Sequence, residues 1–230
     1  MGTDIRPRIR LIRTVILSIG VIFAVIIGGW WLKSAVGYTS VEMDLLRQVN
    51  GFHTAVLNGI ALGVDWLFAP TVAFLLVLIA AGVILLRTRR FALALRFMLI
   101  VLVPTVGAAV VKVLVHRPRP DIPSLQHILV LEPGGLSFPS GHTTFAACFV
   151  LGFIVLARRH RLRPALIGIS VLIVLLTAAS RVYLGVHYPS DVIASVVYAI
   201  AAVALADAVC LLAVSHWSER RSGVLAGSAH

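Results

Sequence analysis

Apolar residues run along this chain in long blocks separated by short polar stretches, and six blocks are long enough to predict membrane-crossing helices. They cover 14–32, 66–86, 97–115, 141–157, 164–180 and 189–214. A helix needs about 20 mostly apolar residues to cross the hydrocarbon core. The pattern therefore predicts an all-α polytopic membrane protein, a six-transmembrane-helix bundle. The stretch 33–65 mixes Glu42, Asp44, Arg47 and His53 with apolar residues at roughly helical spacing. Its segment 41–63 is expected as one helix lying in the interface. The stretch 116–140 is rich in Pro and Gly and reads as a loop between the third and fourth spans. Residues 218–230 are small and polar and read as a flexible tail. The first block follows Arg6, Arg8, Arg10 and Arg13, is longer than a signal h-region and lacks a small-x-small cleavage site, so a retained signal-anchor helix is expected. With no internal repeat, 1–230 reads as one membrane-embedded domain.

Composition supports lipid as the solvent. The chain is 60% hydrophobic and only 13% charged, whereas a soluble domain is about half apolar and about a quarter charged. The net charge of +11 would suggest nucleic acid in a soluble protein. Here the basic residues fall in short clusters between apolar blocks, which excludes that partner and fits loops against an anionic cytoplasmic leaflet. Arg87, Arg89, Arg90 and Arg96 separate spans two and three. Arg158, Arg159, Arg161 and Arg163 separate spans four and five, and Arg220 and Arg221 follow span six. Both termini, including 1–13, are therefore expected in the cytoplasm of a plasma-membrane protein. The loops after spans one, three and five are expected outside. Cys148 and Cys210 lie inside apolar blocks and read as small hydrophobes. Asp207 is expected to reach the inner boundary, and Asp121 and Glu132 to be solvated loop charges. Trp30, Trp31, Trp66 and Trp217 suit interface belts.

Helix alternation then gathers three polar clusters at the outer boundary. The first is Lys112 to Pro120, at the end of span three. The second is Pro139-Ser140-Gly141-His142, entering span four. The third runs from Ser180-Arg181 through His187 to Asp191, joining spans five and six. Ionisable groups at a bilayer edge are costly and mark function. Lys112, Arg119 and Arg181 can neutralise phosphoryl oxygens, the two guanidiniums bidentately. Ser140 adds a hydroxyl, and Gly141 opens a helix whose free amides favour an anion. Asp191 lies within reach of His187. Arg117 is weighed between snorkelling to head groups and supporting the phosphate site from behind. His53, His116, His127, His160, His216 and His230 have no such context and read as interfacial residues.

Lys112-x6-Arg119-Pro120, Pro139-Ser140-Gly141-His142 and Ser180-Arg181-x5-His187-x3-Asp191 together resemble the three-part signature of the type 2 phosphatidic acid phosphatase (PAP2) superfamily. All three parts match without a gap, and the six-span plan is similar as well. Soluble vanadium haloperoxidases share the signature, but the apolar spans argue against that branch. The resemblance implies an active-site loop between spans three and four and a lipid phosphatase working through a phosphohistidine. His187 would be the nucleophile, Asp191 its orienting partner and His142 the acid and base. Lys112, Arg119, Ser140, Gly141 and Arg181 would hold the phosphate, with no metal and no cofactor. The implied substrate is a phosphorylated membrane lipid met at the bilayer's outer face. Undecaprenyl (polyprenyl) diphosphate ranks first, ahead of phosphatidic acid or phosphatidylglycerol phosphate. A phosphotransferase and a non-enzymatic lipid transporter on the same bundle are the alternatives.

Overall fold

The computed structural model describes residues 5–132, 135–157 and 160–227. Arg158 and Arg159 of the expected inner loop lie outside the described residues, as do the side chains of Arg6, Trp217, Arg220 and Arg221. The described chain is all-helical: α1 (Ile5–Ser34), α2 (Val36–Asn50), α3 (Ala55–Leu67), α4 (Pro70–Thr88), α5 (Phe91–Val115), α6 (Gly141–Leu156), α7 (Arg163–Tyr183) and α8 (Pro189–Gly227), with one 3-10 turn at Ile122–Ser124. α8 carries helical backbone through most of the expected tail, and residues 228–230 lie outside the described residues.

Among the described residues, five helices of 18 residues or more are apolar enough to cross a membrane: Arg8–Ser34, Pro70–Thr88, Phe91–Val115, Arg163–Tyr183 and Pro189–His216. Expected span four is α6, whose 16 residues reach only about 24 Å at 1.5 Å per residue, less than the roughly 30 Å core. α6 is the central post, packed on α5, α7 and α8, and carries the chain from the end where α5 stops to the end where α7 starts. Ala146, Cys148, Phe97, Ile100, Val101 and Ala199 are fully buried around it. Gly152 of α6 admits the ring of Phe97, since a β-carbon there would lie 2.9 Å from it. The outward faces of α1, α4, α5, α7 and α8 expose Ile, Leu, Val and Phe side chains, the surface that lipid tails cover. Tyr198 of α8 donates to the carbonyl oxygen of Pro104 inside α5, at 2.9 Å, and ties those two helices together.

The stretch expected as one interfacial helix is two. Gly51, Phe52, His53 and Thr54 break it, and Thr54 caps α3 by accepting from Leu57 N–H. α3 then carries on to Leu67, so the second span starts at Pro70, where a proline suits the first turn of a helix. Both short helices pack against α7. At the join, His53 stacks on Tyr183 and His127 with ring centroids 4.2 and 5.0 Å apart. Asn50 clasps residue 127 by donating to its carbonyl and accepting from its amide, both at 2.8 Å.

Chain direction places the ends of α5 and α7 and the starts of α6 and α8 at one end of the bundle. α2, α3 and the loop after α5 close over that end. At the other end, Asp207 does not reach solvent. It is buried and paired with Arg96 of α5, because a carboxylate packed among apolar helices needs a charged partner.

Gly185 shapes the turn from α7 to α8. Its φ is +70°, and a β-carbon would run into Leu125. Left-handed backbone costs a non-glycine residue about 1–2 kcal/mol. Gly185→Ala should therefore lower the melting temperature of the detergent-purified protein. An unchanged melting curve would show that the turn relaxes freely.

Candidate active site

The site forms where four helix ends meet. α5 ends at His116, whose φ of 54° lets its N–H cap Lys112 O at 2.9 Å. The chain then turns into Arg117-Pro118, and proline blocks any helical continuation. Pro118 pairs with Leu136 in an isolated antiparallel bridge, and Ser137 N–H donates to Arg117 O at 2.8 Å. This hairpin-like return brings residues 135–140 back beside the end of α5, where Lys112 Nζ donates to Leu136 O at 2.8 Å. Ser140 caps α6, accepting from Thr143 N–H and Thr143 Oγ1. Its own N–H donates to Ser195 Oγ of α8 at 2.8 Å, which locks the start of α6 onto α8. The Ser140 hydroxyl is thus occupied as a helix cap. That leaves the amides of Gly141 and His142 without an acceptor within the helix.

His187 hangs between α7 and α8 and is 1% exposed. Its Nδ1 faces Asp191 Oδ2 at 3.5 Å, one turn along the chain. Its Nε2 lies 3.3 Å from Arg119 Nη1. Asp191 also accepts from Tyr188 N–H at 2.9 Å, from Ser137 Oγ and from Arg117 Nη1 at 2.7 Å. Burial pushes the His187 imidazole down to about 3, against the Asp191 hydrogen bond that favours its proton, while Arg119 lowers it further. The ring is therefore neutral at pH 7. With a proton on Nδ1 toward Asp191, the lone pair is on Nε2.

The cationic part is built around a carboxylate that the sequence reading placed in solvent. Glu132 is not a solvated loop charge. One of its oxygens pairs with Arg119 Nη2 and the other with Arg181 Nη2. Arg181 is 0% exposed, and its Nη1 pairs with Asp65 of α3. The same Asp65 oxygen lies 3.4 Å from His142 Nε2. Arg119 donates in addition to Val186 O at 2.8 Å. Arg119, His187, Arg181 and His142 thus join through shared partners into one continuous polar cluster.

Arg117 reaches that cluster from behind, through Asp191. It is fully buried, with Nη1 on Asp191 and Ser190, Nη2 on Glu42 of α2, and its plane 4.3 Å from the centre of the Tyr188 ring. It does not snorkel, being 1% exposed, and its contact with the site runs through Asp191. Sequence reasoning missed Asp65 and read Glu42 as an interfacial charge. Both had a signal: Asp65 is an ionisable residue inside an apolar helix, and Glu42 shares the helical spacing of the buried Met43, Leu46 and Asn50.

Asp65, Glu132 and His142 also bring three ligand-type atoms within 4.8 Å of one another. The guanidiniums already grip both carboxylates, and their charge opposes a metal cation there. The cluster suits an anion that takes the carboxylates' place. Beside it a groove of about 900 Å³ runs between Lys33, His116, Pro118, Leu131 and Tyr188, with Arg119 and Glu132 in its wall.

A helical membrane bundle with guanidiniums and two histidines converging at one end defines a phosphate-handling class of protein. Residues 91–214, more than half of the chain, match the PAP2 superfamily, and the chain belongs to that superfamily. An undecaprenyl-diphosphatase of Sulfolobus acidocaldarius is 29% identical over 81% of this chain and 82% of its own. A decaprenylphosphoryl-5-phosphoribose phosphatase of Mycobacterium tuberculosis is 38% identical over 44% of this chain, a match that spans 52% of the relative. Among solved structures, a transmembrane PAP2-type phosphatidylglycerolphosphate phosphatase of Bacillus subtilis superposes with a TM-score of 0.69. It is 22% identical, covering 88% of this chain and 96% of its own, and so shares the fold.

Because burial holds His187 neutral, with a folded value of about 3 against about 6.5 unfolded, the unfolded chain binds more protons in between. Stability from this group is complete above pH 6.5 and is lost as pH falls through that window. The melting temperature in detergent should therefore drop less between pH 7 and pH 5 in His187→Gln than in the parent protein. Equal drops would mean that the buried imidazole is not neutral.

Proposed function

We propose that this protein is a metal-independent membrane lipid phosphatase that works through a phosphohistidine at His187. The supporting observation is that Arg119 and Arg181 share the two oxygens of one carboxylate beside His187 Nε2, because two oxygens of a phosphoryl group offer the same acceptors. The phosphoryl group displaces Glu132, and Lys112 and the first-turn amides at Gly141 add positive field. Ser140 acts here by fixing that helix start.

Chemistry then needs two displacements. Burial and then Arg181 push the His142 imidazole down to about 4, so it takes up a proton with the incoming phosphoryl dianion. The Nε2 lone pair of His187 then attacks phosphorus, and the bond to the leaving oxygen breaks as His142 donates that proton to it. Asp191 holds the Nδ1 proton and offsets the positive charge on the ring. Water next attacks the phosphohistidine. His142 takes its proton, the phosphorus–nitrogen bond breaks, and inorganic phosphate leaves. The guanidiniums and the lysine supply the charge stabilisation that a divalent cation gives other phosphatases.

The substrate is a phosphorylated lipid at the bilayer boundary, with polyprenyl diphosphate first and phosphatidic acid or phosphatidylglycerol phosphate next. The exposed apolar belt below the site and the groove leading to it support a lipid, and the polyprenyl substrates in the relatives' names support the ranking. The basic links at the opposite end support an extracytoplasmic site and cytoplasmic termini, with 1–230 acting as one membrane unit.

Phosphate release from the detergent-purified chain tests the proposal. Release from undecaprenyl diphosphate and phosphatidic acid should persist in excess EDTA, and a strict metal requirement would contradict it. His187→Ala should lower turnover by at least about a thousandfold. His142→Ala should lose about 10²–10⁴-fold with lipid alkoxide leaving groups and far less with p-nitrophenyl phosphate. Near-normal turnover in His187→Ala would remove the nucleophile assignment.

A further inference from the structure

One buried charge chain reaches the nucleophile from outside the segment that matches the superfamily. Glu42 is on α2, well before residue 91. Its Oε2 accepts from Arg117 Nη2 at 2.8 Å and from Ser190 Oγ at 2.9 Å, and its Oε1 accepts from Ser190 N–H at 2.8 Å. Arg117 Nη1 in turn donates to Ser190 Oγ and Asp191 Oδ1, both at 2.7 Å. Asp191 Oδ2 faces His187 Nδ1. Glu42, Arg117, Asp191 and His187 are 4, 1, 0 and 1% exposed.

We propose that Glu42, acting through Arg117, is a positioning residue for the phosphoryl-transfer step. The argument is one of geometry and charge. Asp191 must face the imidazole with one oxygen, and it has other donors to satisfy. Arg117 takes the second oxygen, Oδ1, and so fixes the rotation of the carboxylate that aims Oδ2 at the ring. Arg117 alone would leave a guanidinium half-paired in an apolar site and draw the charge of Asp191 away from His187. Glu42 engages the other guanidinium nitrogen and returns a negative charge. Asp191 can then stabilise the positive charge that forms on His187 when its Nε2 bonds to phosphorus. Glu42 also holds the Ser190 amide in the first turn of α8, the turn that carries Asp191. Plain scaffolding would need a polar contact at this point, but not a carboxylate joined to a guanidinium that ends on the nucleophile's own partner.

The inference rests on the His187 reading, and the experiment separates the two. Full-length Glu42→Gln, Arg117→Met, Arg117→Lys and the double variant Glu42→Gln/Arg117→Met are purified in detergent. They are assayed with phosphatidic acid beside His187→Ala, with exposed Asp44→Asn as control. Partners that orient a catalytic ligand from behind are worth about 10–100-fold. Glu42→Gln should lower kcat about tenfold or more with KM kept within about twofold. Arg117→Met should lose more, and Arg117→Lys, which keeps the charge but not the fork, should recover part of that loss. The double variant should be no worse than Arg117→Met, because residues acting in series do not add. Should Glu42→Gln fail to fold, Ser190→Ala removes the hydroxyl between the two charges and should lower kcat alone. Parent-level kcat in whichever of these folds, or losses that add in the double variant, overturn the proposal. Turnover retained in His187→Ala would instead sink the nucleophile reading beneath it.

Discussion

Arg117 and Arg181 are almost wholly removed from solvent at the end of an apolar bundle, and the surrounding structure depends on neutralising them. A guanidinium cannot be deprotonated, and an unpaired buried charge costs several kcal/mol. Their counter-charges come from α2, α3, the loop after α5 and the start of α8, in Glu42, Asp65, Glu132 and Asp191. The two short helices are therefore more than cover. Each delivers one carboxylate to one arginine, and the packing of both on α7 sets where those carboxylates arrive. α6 is locked in the same way, with its first turn pinned to α8 through Ser140 and Ser195.

The meeting of these cations and histidines at one end was legible in the sequence because they sit at fixed intervals beside prolines and glycines that end and start helices. Such local features convert directly into position: Pro118 stops α5, Ser140 starts α6 and Pro189 starts α8. The surroundings of the fourth block were not legible. The block 141–157 is apolar for a different reason, since α6 is surrounded by protein rather than lipid, and an apolar run does not distinguish the two environments. The break at 51–54 was missed because helical spacing continues on both sides of it.

The acidic partners were hidden for another reason. Asp65, Glu42 and Glu132 belong to none of the three clusters, and each lies far along the chain from the buried arginine it neutralises. A carboxylate on a short amphipathic stretch is most often solvated. What overturns that reading is the demand of a buried guanidinium elsewhere, which is visible only once the bundle is assembled. The general rule that a buried charge must have a partner could have been run backwards. Had Arg117 and Arg181 been assigned to the interior, the search for acids at the same end of the bundle would have included Glu42 and Asp65.

The two arginines are neutralised differently, and the difference bears on chemistry. Both carboxylates on Arg117 come from helices, Glu42 in α2 and Asp191 in the first turn of α8, so neither can leave without moving a packed element. Arg181 has one partner on a helix, Asp65, and one on a loop, Glu132, which also spans to Arg119. A phosphoryl dianion approaching Arg119 and Arg181 meets two negative charges at close range, where Coulomb repulsion in a poorly screened site is large. The loop carboxylate can give way without disturbing helix packing, and it bridges the same two guanidiniums that the phosphoryl oxygens would. Arg117 is thus held between two helices, whereas Arg119 and Arg181 are bridged by a loop carboxylate, and on the proposed mechanism that bridge is the one a phosphoryl group replaces.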